Sequence, residues 1–368
     1  MSNQSELAQL ASVFAGSALS NRNMVINGGM TISQRGSSTT SFNVYLIDRF
    51  RNPVLGITQY ASTLSHDTDA PSGFSNSLKV TTTTAETAID AGDLVYIAQE
   101  IEGYNLQRLG YGASDAKTAT LSFWVKSSVT GTYGVGFYQA DGPYNYTATY
   151  SISAANTWEY KTIKLSGNTS NSVANDNTAG VRVSFILAAG STYNDGSASN
   201  AWETYATDKF ASGHVQNGVV TTLNATWQLT GVQLEIGDTS TPFEHIPYSD
   251  QLARCQRYYY KTYNDSTAPS TATNVGIVSS TLSQSFQNTG YIELYNVPYA
   301  VKMRASPTIT VYDTSGNSGK CNYYQSATLV VNKTITSHAM SENGFAVYSD
   351  NVTSKGGIGF HFTADAEL

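Results

Sequence analysis

The side chains of this chain that could do chemistry fall into three groups. Glu100 and Glu102 stand two apart in a run that alternates as a strand does, so both project from one face. Glycosidases use two carboxyl groups, but these reach the sugar bond from opposite sides, whereas strand neighbours stand side by side. The pair therefore reads as solvent-facing, or as partnered by Arg108 or a lysine. The second group is aromatic. Sugars stack their CH faces on aromatic rings and take hydrogen bonds at their edges from Asn, Gln, Asp and Tyr. In YQADGPYNYTATY, the Asp141-Gly142-Pro143 turn would present Tyr138, Asp141, Tyr144 and Tyr146 at the tip of a sandwich. Tyr193 and Trp202 add two rings from a long polar stretch further on. On this basis Tyr146→Ala should weaken glycan binding and leave the melting temperature unchanged. Core or subunit packing is the competing role for every one of these rings. The third group is Asp48 and Glu235, oxygen donors of the type that holds a structural calcium ion, although no spaced loop of carboxylates accompanies them.

Other chemistries lack their residues. No Gly-x-Ser-x-Gly elbow and no Gly-x-x-x-x-Gly-Lys phosphate loop occurs. The five histidines, His66, His214, His245, His338 and His361, are scattered without a partner pattern and read as surface or packed residues. No cofactor is implied.

The elements that must position these groups are strands. Leu46–Phe50, Ser77–Thr83, Asp93–Glu102, Ala119–Ser127, Thr132–Gln139, Glu159–Leu165, Val181–Ala188 and Trp227–Ile236 are rich in Val, Ile, Thr, Tyr and Phe, with Gly, Asn, Asp and Ser between them. So many strands without long helices predict an all-β sandwich. Trp124 in LSFWV is set opposite Phe123. In the last strand Trp227, Leu229, Gly231, Gln233 and Glu235 should share one face. Leu187 to Gly218 is long for a loop in a compact domain and reads as functional or as an interface arm. Ser249 can cap a short helix with Asp250 in its first turn and Arg254 and Arg257 behind, which suits the helix dipole. Strands resume near Asn274 and continue to Ala364, giving a second, smaller β-domain.

Composition narrows the partners. At 368 residues the chain can bury more than one core, and its 11% aromatic content is enough to fold. Charged residues make up 13%, about half the usual share of roughly a quarter, so Ser, Thr, Asn and Gln supply the polar surface. A net charge of −7 without a basic run argues against nucleic acid as a partner. No apolar run approaches the ~20 residues that span a bilayer, so membrane insertion is not expected. Cys255 and Cys321 lack metal-ligand spacing and read as two packed thiols, a bridge between them being the alternative. Residues 3–16 form a helical pattern with Leu7, Leu10 and Phe14 on one stripe, which needs its own domain, sister helices or a larger particle to cover it. Val13–Ala18 looks like a cleavage region, but no Lys or Arg precedes it, so no signal peptide is expected. Asn27-Gly28 within MVINGGMTI is a hairpin signal.

Four stretches carry a family resemblance. They are NMVINGGMTISQRG at 23–36, Asp48-Arg49-Phe50, the run from AQEIEGYNLQRLGYG through SISAANTWEYKTIKL at 98–165, and TGVQLEIG followed by TPFEHIPYSDQLARCQRYYYK up to Lys261. In this order they resemble the bacteriophage tail-fibre and tail-associated virion structural proteins that carry a carbohydrate-binding-like β-jelly-roll module. The resemblance covers about residues 23–261 and implies a division into five parts: an amino-terminal helical attachment segment at 1–24, a hairpin and linker at 25–44, a β-jelly-roll module at 45–248, a helical connector at 249–262 and a carboxy-terminal β-domain at 263–368. It further implies a protein without catalysis, attached to the particle through Leu7, Leu10 and Phe14. Assembly as a homotrimer with other virion tail proteins, and contact with a host surface polysaccharide, follow from the same family. Such a protein is made in the host cytoplasm and resides in the virion tail. A purely architectural collar, adaptor or capsid decoration is the alternative. A polysaccharide depolymerase ranks last, because the Gly/Asn ladders of a long β-helix are missing.

Overall fold

The computed structural model describes residues 20–279, 285–288, 290–325, 328–352 and 356–368. Leu7, Leu10 and Phe14 lie outside the described residues. The chain divides into two compact units, residues 37–247 with the segment that ends at Thr31, and residues 248–368 with Ile32–Gly36.

In the first unit the strands are β1 (Ser38–Thr39), β2 (Val54–Leu55), β3 (Ala61–Asp67), β4 (Ser77–Thr84), β5 (Leu94–Glu102), β6 (Ala119–Ser127), β7 (Gly131–Gln139), β8 (Tyr144–Ile152), β9 (Glu159–Leu165), β10 (Ala179–Ala189), β11 (Glu203–Thr204) and β12 (Thr226–Ile236). They form two antiparallel six-stranded sheets, β1-β3-β4-β12-β6-β9 and β11-β8-β7-β10-β5-β2. The chain alternates between the sheets as a jelly roll does: β5 crosses from the first to the second, β6 returns, β7 and β8 cross again, and β9, β10 and β12 repeat the exchange.

The alternation of side chains explains why the sheets close on each other. Leu121, Phe123 and Val125 of β6 and Trp227 and Leu229 of β12 point inward, where they meet Tyr133, Val135 and Phe137 of β7 and Val183 and Phe185 of β10. Phe123 packs edge-on to Phe185 at 5.0 Å, and Phe185 lies 6.1 Å from Trp227. Two of the buried rings have their polar ends satisfied internally. Trp227 Nε1 donates to Tyr150 Oη at 3.3 Å, and Tyr133 Oη donates to the carbonyl of Val129 at 2.7 Å.

Three local expectations are corrected here. Leu46–Phe50 is a turn, not a strand, because Arg49 adopts φ 74° and its buried guanidinium donates to the carbonyl of Glu100 at 2.6 Å. Residues 24–32 form turns instead of a hairpin. There Asn27 does not pair two strands; its side chain accepts from Thr31 N and donates to the carbonyl of Asp48. Strand β12 does not keep one parity. A bulge between Thr230 and Gln233, made possible by Gly231 at φ 63°, shifts the alternation, so Trp227 and Leu229 before it and Val232 and Leu234 after it all enter the core.

The second unit holds α1 (Tyr248–Gln256), β13 (Tyr259–Lys261), β14 (Val278–Ser279), β15 (Ser285–Asn288), β16 (Gly290–Pro298), β17 (Thr308–Tyr312), β18 (Lys320–Gln325), β19 (Thr328–Thr334), β20 (Thr336–His338), β21 (Gly344–Val352) and β22 (Gly356–Asp365). Strand β22 is its hub, pairing with β13, β14, β17 and β18, while β15-β16-β21-β20 form a separate sheet. Cys321, Tyr323, Phe345, Phe360 and Phe362 build the core. Ile32–Gly36 is part of this unit: Gln34 donates to the carbonyl of Tyr259 at 2.8 Å, and Arg35 lies 3.6 Å over the Tyr259 ring while pairing with Asp365 at 3.1 Å. Both cysteines are buried, and burial pushes the Cys321 thiol up to about 12.

Candidate functional site

On the outer face of the second sheet, β7 places Gly134, Gly136 and Tyr138, since Tyr133, Val135 and Phe137 take the inner positions. Register then fixes the neighbours. Arg182 of β10 stands beside Tyr138 on one side and Glu100 of β5 on the other, and across the hairpin Tyr138 faces Asn145. A second row, one step along, reads Ala98, Ser184, Gly136 and Thr147. Arg51 extends that row beyond Ala98 through two backbone hydrogen bonds of 2.8 and 2.9 Å.

Two parts of the segment 190–218, around Tyr193 and from Tyr205 to His214, are laid down on this face as an ordered cover, while Glu203–Thr204 between them joins the sheet as β11. Side chains at Gly134 and Gly136 would bar it: a Cβ there would come within 3.0 Å of His214 and 2.9 Å of the Phe210 carbonyl. His214 Nδ1 accepts from Gly134 N at 3.2 Å, Asn145 donates to the carbonyl of Lys209 at 3.3 Å, and Phe210 packs edge-on to Tyr96 at 5.1 Å. Tyr193 joins from the far side of Phe210 at 6.5 Å. Burial lowers the His214 pKa to about 4.

The cover packs on Tyr96 and Ala98 of β5 and Ile186 of β10 but leaves the row of Tyr138, Arg182 and Glu100 part-exposed. There the Arg182 guanidinium lies 5.5 Å over the Tyr138 ring and donates through Nε and Nη2 to one oxygen of Glu100, at 2.8 and 2.5 Å. Tyr205, from the cover, meets Tyr138 edge-on at 5.0 Å. Burial, the largest single influence, works against the Arg182 cation, but Glu100 together with Tyr96 and Tyr138 outweighs it and the pKa rises. Burial also raises the Tyr205 phenol, so it remains a neutral donor and acceptor. Two rings, a fixed guanidinium and a carboxylate thus share one part-exposed surface. That combination can stack a planar face and bind hydroxyls or an anion. It is poorly suited to proton transfer, since Glu100 is tied to Arg182 and Glu102 is 1% exposed.

The residues singled out from sequence separate accordingly. Tyr138 belongs to the site, and Tyr193 supports it through Phe210. Tyr144 and Tyr146 flank Asn145 on β8 and so fall on the opposite face from Tyr138. Tyr146 is 4% exposed, packs on Phe137 and Trp202, and donates to the carbonyl of Lys164 at 3.0 Å; it is a core residue, not a ligand contact. Trp202 closes the same region, set between Tyr111 and Tyr146 with its Nε1 donating to the carbonyl of Ser166 at 2.7 Å. Asp141 holds the turn, its carboxylate accepting from Ala174 N at 2.9 Å. Glu235 is fully buried, its carboxylate accepting from Thr241 N, Thr241 Oγ1 and Gln233 Nε2, and Asp48 is also fully buried. Among the described residues no group of three or more His, Cys, Asp or Glu is placed to hold a metal ion. Arg182, Arg51, Tyr96 and Phe210 were not distinguished by sequence. The charge of Arg182 inside VRVSFI marks an outward position, but its pairing with Glu100 needs the register.

The first sheet has an aromatic outer face of its own. Trp124 lies 5.3 Å from Tyr160, which is 42% exposed, and on the other side Gly231 separates Trp124 from Phe74. Phe74 continues to Phe243 at 5.0 Å. Beside this row Asp69 accepts from Lys126, from Trp158 Nε1 at 3.2 Å and from Gln228 at 3.3 Å, and the Lys126 hydrogen bond is the main reason its pKa is lowered. These polar groups satisfy one another.

No family model matches this chain, and no curated protein does. Among solved structures it is similar to the enzymatically active domain of bacteriophage CBA120 tailspike protein 4, with 12% identity over 58% of this chain and 21% of that one and a TM-score of 0.32. A putative sugar binding protein from Bacteroides thetaiotaomicron VPI-5482 matches with 10% identity over 59% of this chain and all of its own, at a TM-score of 0.34. TmCBM61 in complex with β-1,4-galactotriose matches with 10% identity over 59% of this chain and 99% of its own, at a TM-score of 0.28. Likenesses this low carry neither a ligand nor an activity over to this chain.

Proposed function

We propose that the chain is a non-enzymatic phage virion protein, a tail fibre or tail-associated appendage. Its amino-terminal segment attaches to the particle, and its first unit binds a host surface glycan on the outer face of the second sheet. The virion role, the homotrimer and the location in the tail rest on the four sequence stretches that resemble such proteins. The glycan role rests on one observation, the surface where Arg182, held by Glu100, lies over Tyr138 with Tyr205 at its edge. Rings supply apolar area to a sugar face, and the fixed polar groups give it orientation.

Purified, labelled protein should bind candidate host cells saturably, and extracted surface polysaccharide should displace it. Arg182→Ala should abolish this binding while the fold persists by circular dichroism. A second reading, a purely architectural protein, is favoured by the Trp124–Tyr160 face, which offers apolar area to a sister subunit. Absence of binding to cells and to polysaccharide by a folded oligomer would decide for it. Release of reducing ends from the polysaccharide would instead overturn the non-enzymatic assignment.

A further inference from the structure

The same surface holds a cation that nothing neutralises. Arg182 has Glu100, and Lys209 has Glu203. Arg51 makes no ion pair and no side-chain hydrogen bond among the described residues, and its Nε is buried without an acceptor. Buried donors in folded proteins nearly always have a partner, and an orphan marks a place where water, an ion or a ligand is to be accommodated. Arg51 is directly paired with Ala98 in the antiparallel ladder, so its side chain leaves the sheet on the outer face, in the row next to Glu100 and Arg182. Ala98 is small, and beyond it the buried Ser184 hydroxyl is a second polar group without a partner. Tyr96 lies near both arginines: their charges act to lower its pKa, although burial, the largest influence, raises it overall. Two guanidiniums therefore face one carboxylate across this patch, and it is locally positive in a chain of net charge −7.

We infer that the glycan bound here is acidic, with a sugar carboxylate received by Arg51 while the sugar ring lies toward Tyr138 and Tyr205. This rests on the glycan-binding proposal above and adds the ligand class. A planar carboxylate matches the guanidinium fork, and a charge-assisted hydrogen bond in a part-buried site is stronger than the neutral bonds that hydroxyls make. The surrounding negative protein would otherwise repel such a ligand, so the selectivity has to come from this local cation.

The test uses the full chain and four probes, oligogalacturonate, hyaluronan, alginate and oligosialic acid fragments, each beside its carboxyl-reduced counterpart, with affinities read by calorimetry at low and high salt. At least one acidic probe should bind, its reduced form should bind about ten- to a hundredfold more weakly, and salt should weaken only the acidic one. Arg51→Gln should produce the same loss for the acidic probe with an unchanged melting temperature. Reduction of the ligand leaves the protein untouched, so this arm stands even where the variant folds poorly. Equal binding of acidic and reduced forms, or preference for the reduced ones, overturns the acidic class and leaves the glycan-binding proposal standing. Binding of no probe in either form, and of no extracted host polysaccharide, overturns both.

Discussion

Tyr138 and Tyr146 look equivalent in the sequence and should behave in opposite ways on truncation. Tyr146→Ala removes a ring that is 4% exposed, its edge contacts with Phe137 at 6.0 Å and Trp202 at 5.7 Å, and its hydrogen bond to Lys164. Removing a buried aromatic costs ~3–5 kcal/mol, and the lost hydrogen bond adds about 1. For a unit of this size each kcal/mol moves the melting temperature by ~2–4 °C, so the variant should melt ~8–24 °C lower. Tyr138→Ala gives up one edge contact with Tyr205 and one cation–π contact with Arg182. These are worth together ~1–2 kcal/mol, or ~2–8 °C. Binding should respond the other way round. Below the melting range of both variants Tyr146→Ala should keep its affinity for host polysaccharide, while Tyr138→Ala should lose at least about tenfold, as truncation of an aromatic anchor does. Scanning calorimetry and titration calorimetry on the same preparations measure both quantities. Loss of binding by Tyr146→Ala at an unchanged melting temperature would refute the assignment of these two residues to opposite faces.

Three further outcomes follow from named contacts. Gly231→Ala should destabilise the first unit by about 2 kcal/mol, because a Cβ at φ 63° is unfavourable and would lie 2.7 Å from Phe74 and 3.0 Å from Trp124; an unchanged denaturation midpoint would mean that β12 runs through without its bulge. Trp124→Ala should leave polysaccharide binding unaltered, whereas its loss there, with Tyr138→Ala still active, would move the site to the first sheet. His214 stays neutral in the folded protein down to about pH 4, while in the unfolded chain it protonates near 6.5. The unfolded state therefore gains protons first as the pH falls, so stability decreases between about pH 6.5 and 4, by about 3 kcal/mol in all, and is insensitive to this group above that window. His214→Asn, which can still accept from Gly134 N, should flatten the slope in urea titrations, and an unchanged slope would remove His214 as its source.

The strands legible in the sequence are those whose period-2 pattern is strong enough to stand alone. Glu159–Leu165 agrees with β9 end to end, and the runs at β4, β5, β6, β7 and β10 are within two residues. Two others escape for physical reasons. Strand β3, ASTLSHD, is built mostly of small polar residues and hides only Ser62 and Leu64 fully. Strand β8 begins directly after the Asp141-Gly142-Pro143 turn, so its tyrosines read as turn decoration. LIDRF fails in the other direction: it has strand composition, but the positive φ of Arg49 and its bond to Glu100 depend on a strand some fifty residues away. Of the site, the half-buried ring of Tyr138 is legible. Its partners are not, because Arg182, Glu100 and Arg51 come together only through cross-strand register, which sequence leaves open.

Parity, more than residue type, thus decides what each tyrosine of this chain does. Tyr138 faces Asn145 across the hairpin, and that single pairing sends Tyr144 and Tyr146 to the other side of the sheet. The consequence for binding is mechanical. The ring of Tyr138 is braced by Tyr205, Arg182 is fixed by two bonds to one oxygen of Glu100, and the segment carrying Tyr205 is seated on the sheet through His214, Asn145 and Phe210. A ligand meeting this surface has few side chains left to order, so less of its contact energy is offset by lost side-chain freedom. Arg51 is the exception, a charged group with its Nε still unanswered, and it is where added contact energy from a ligand can be greatest.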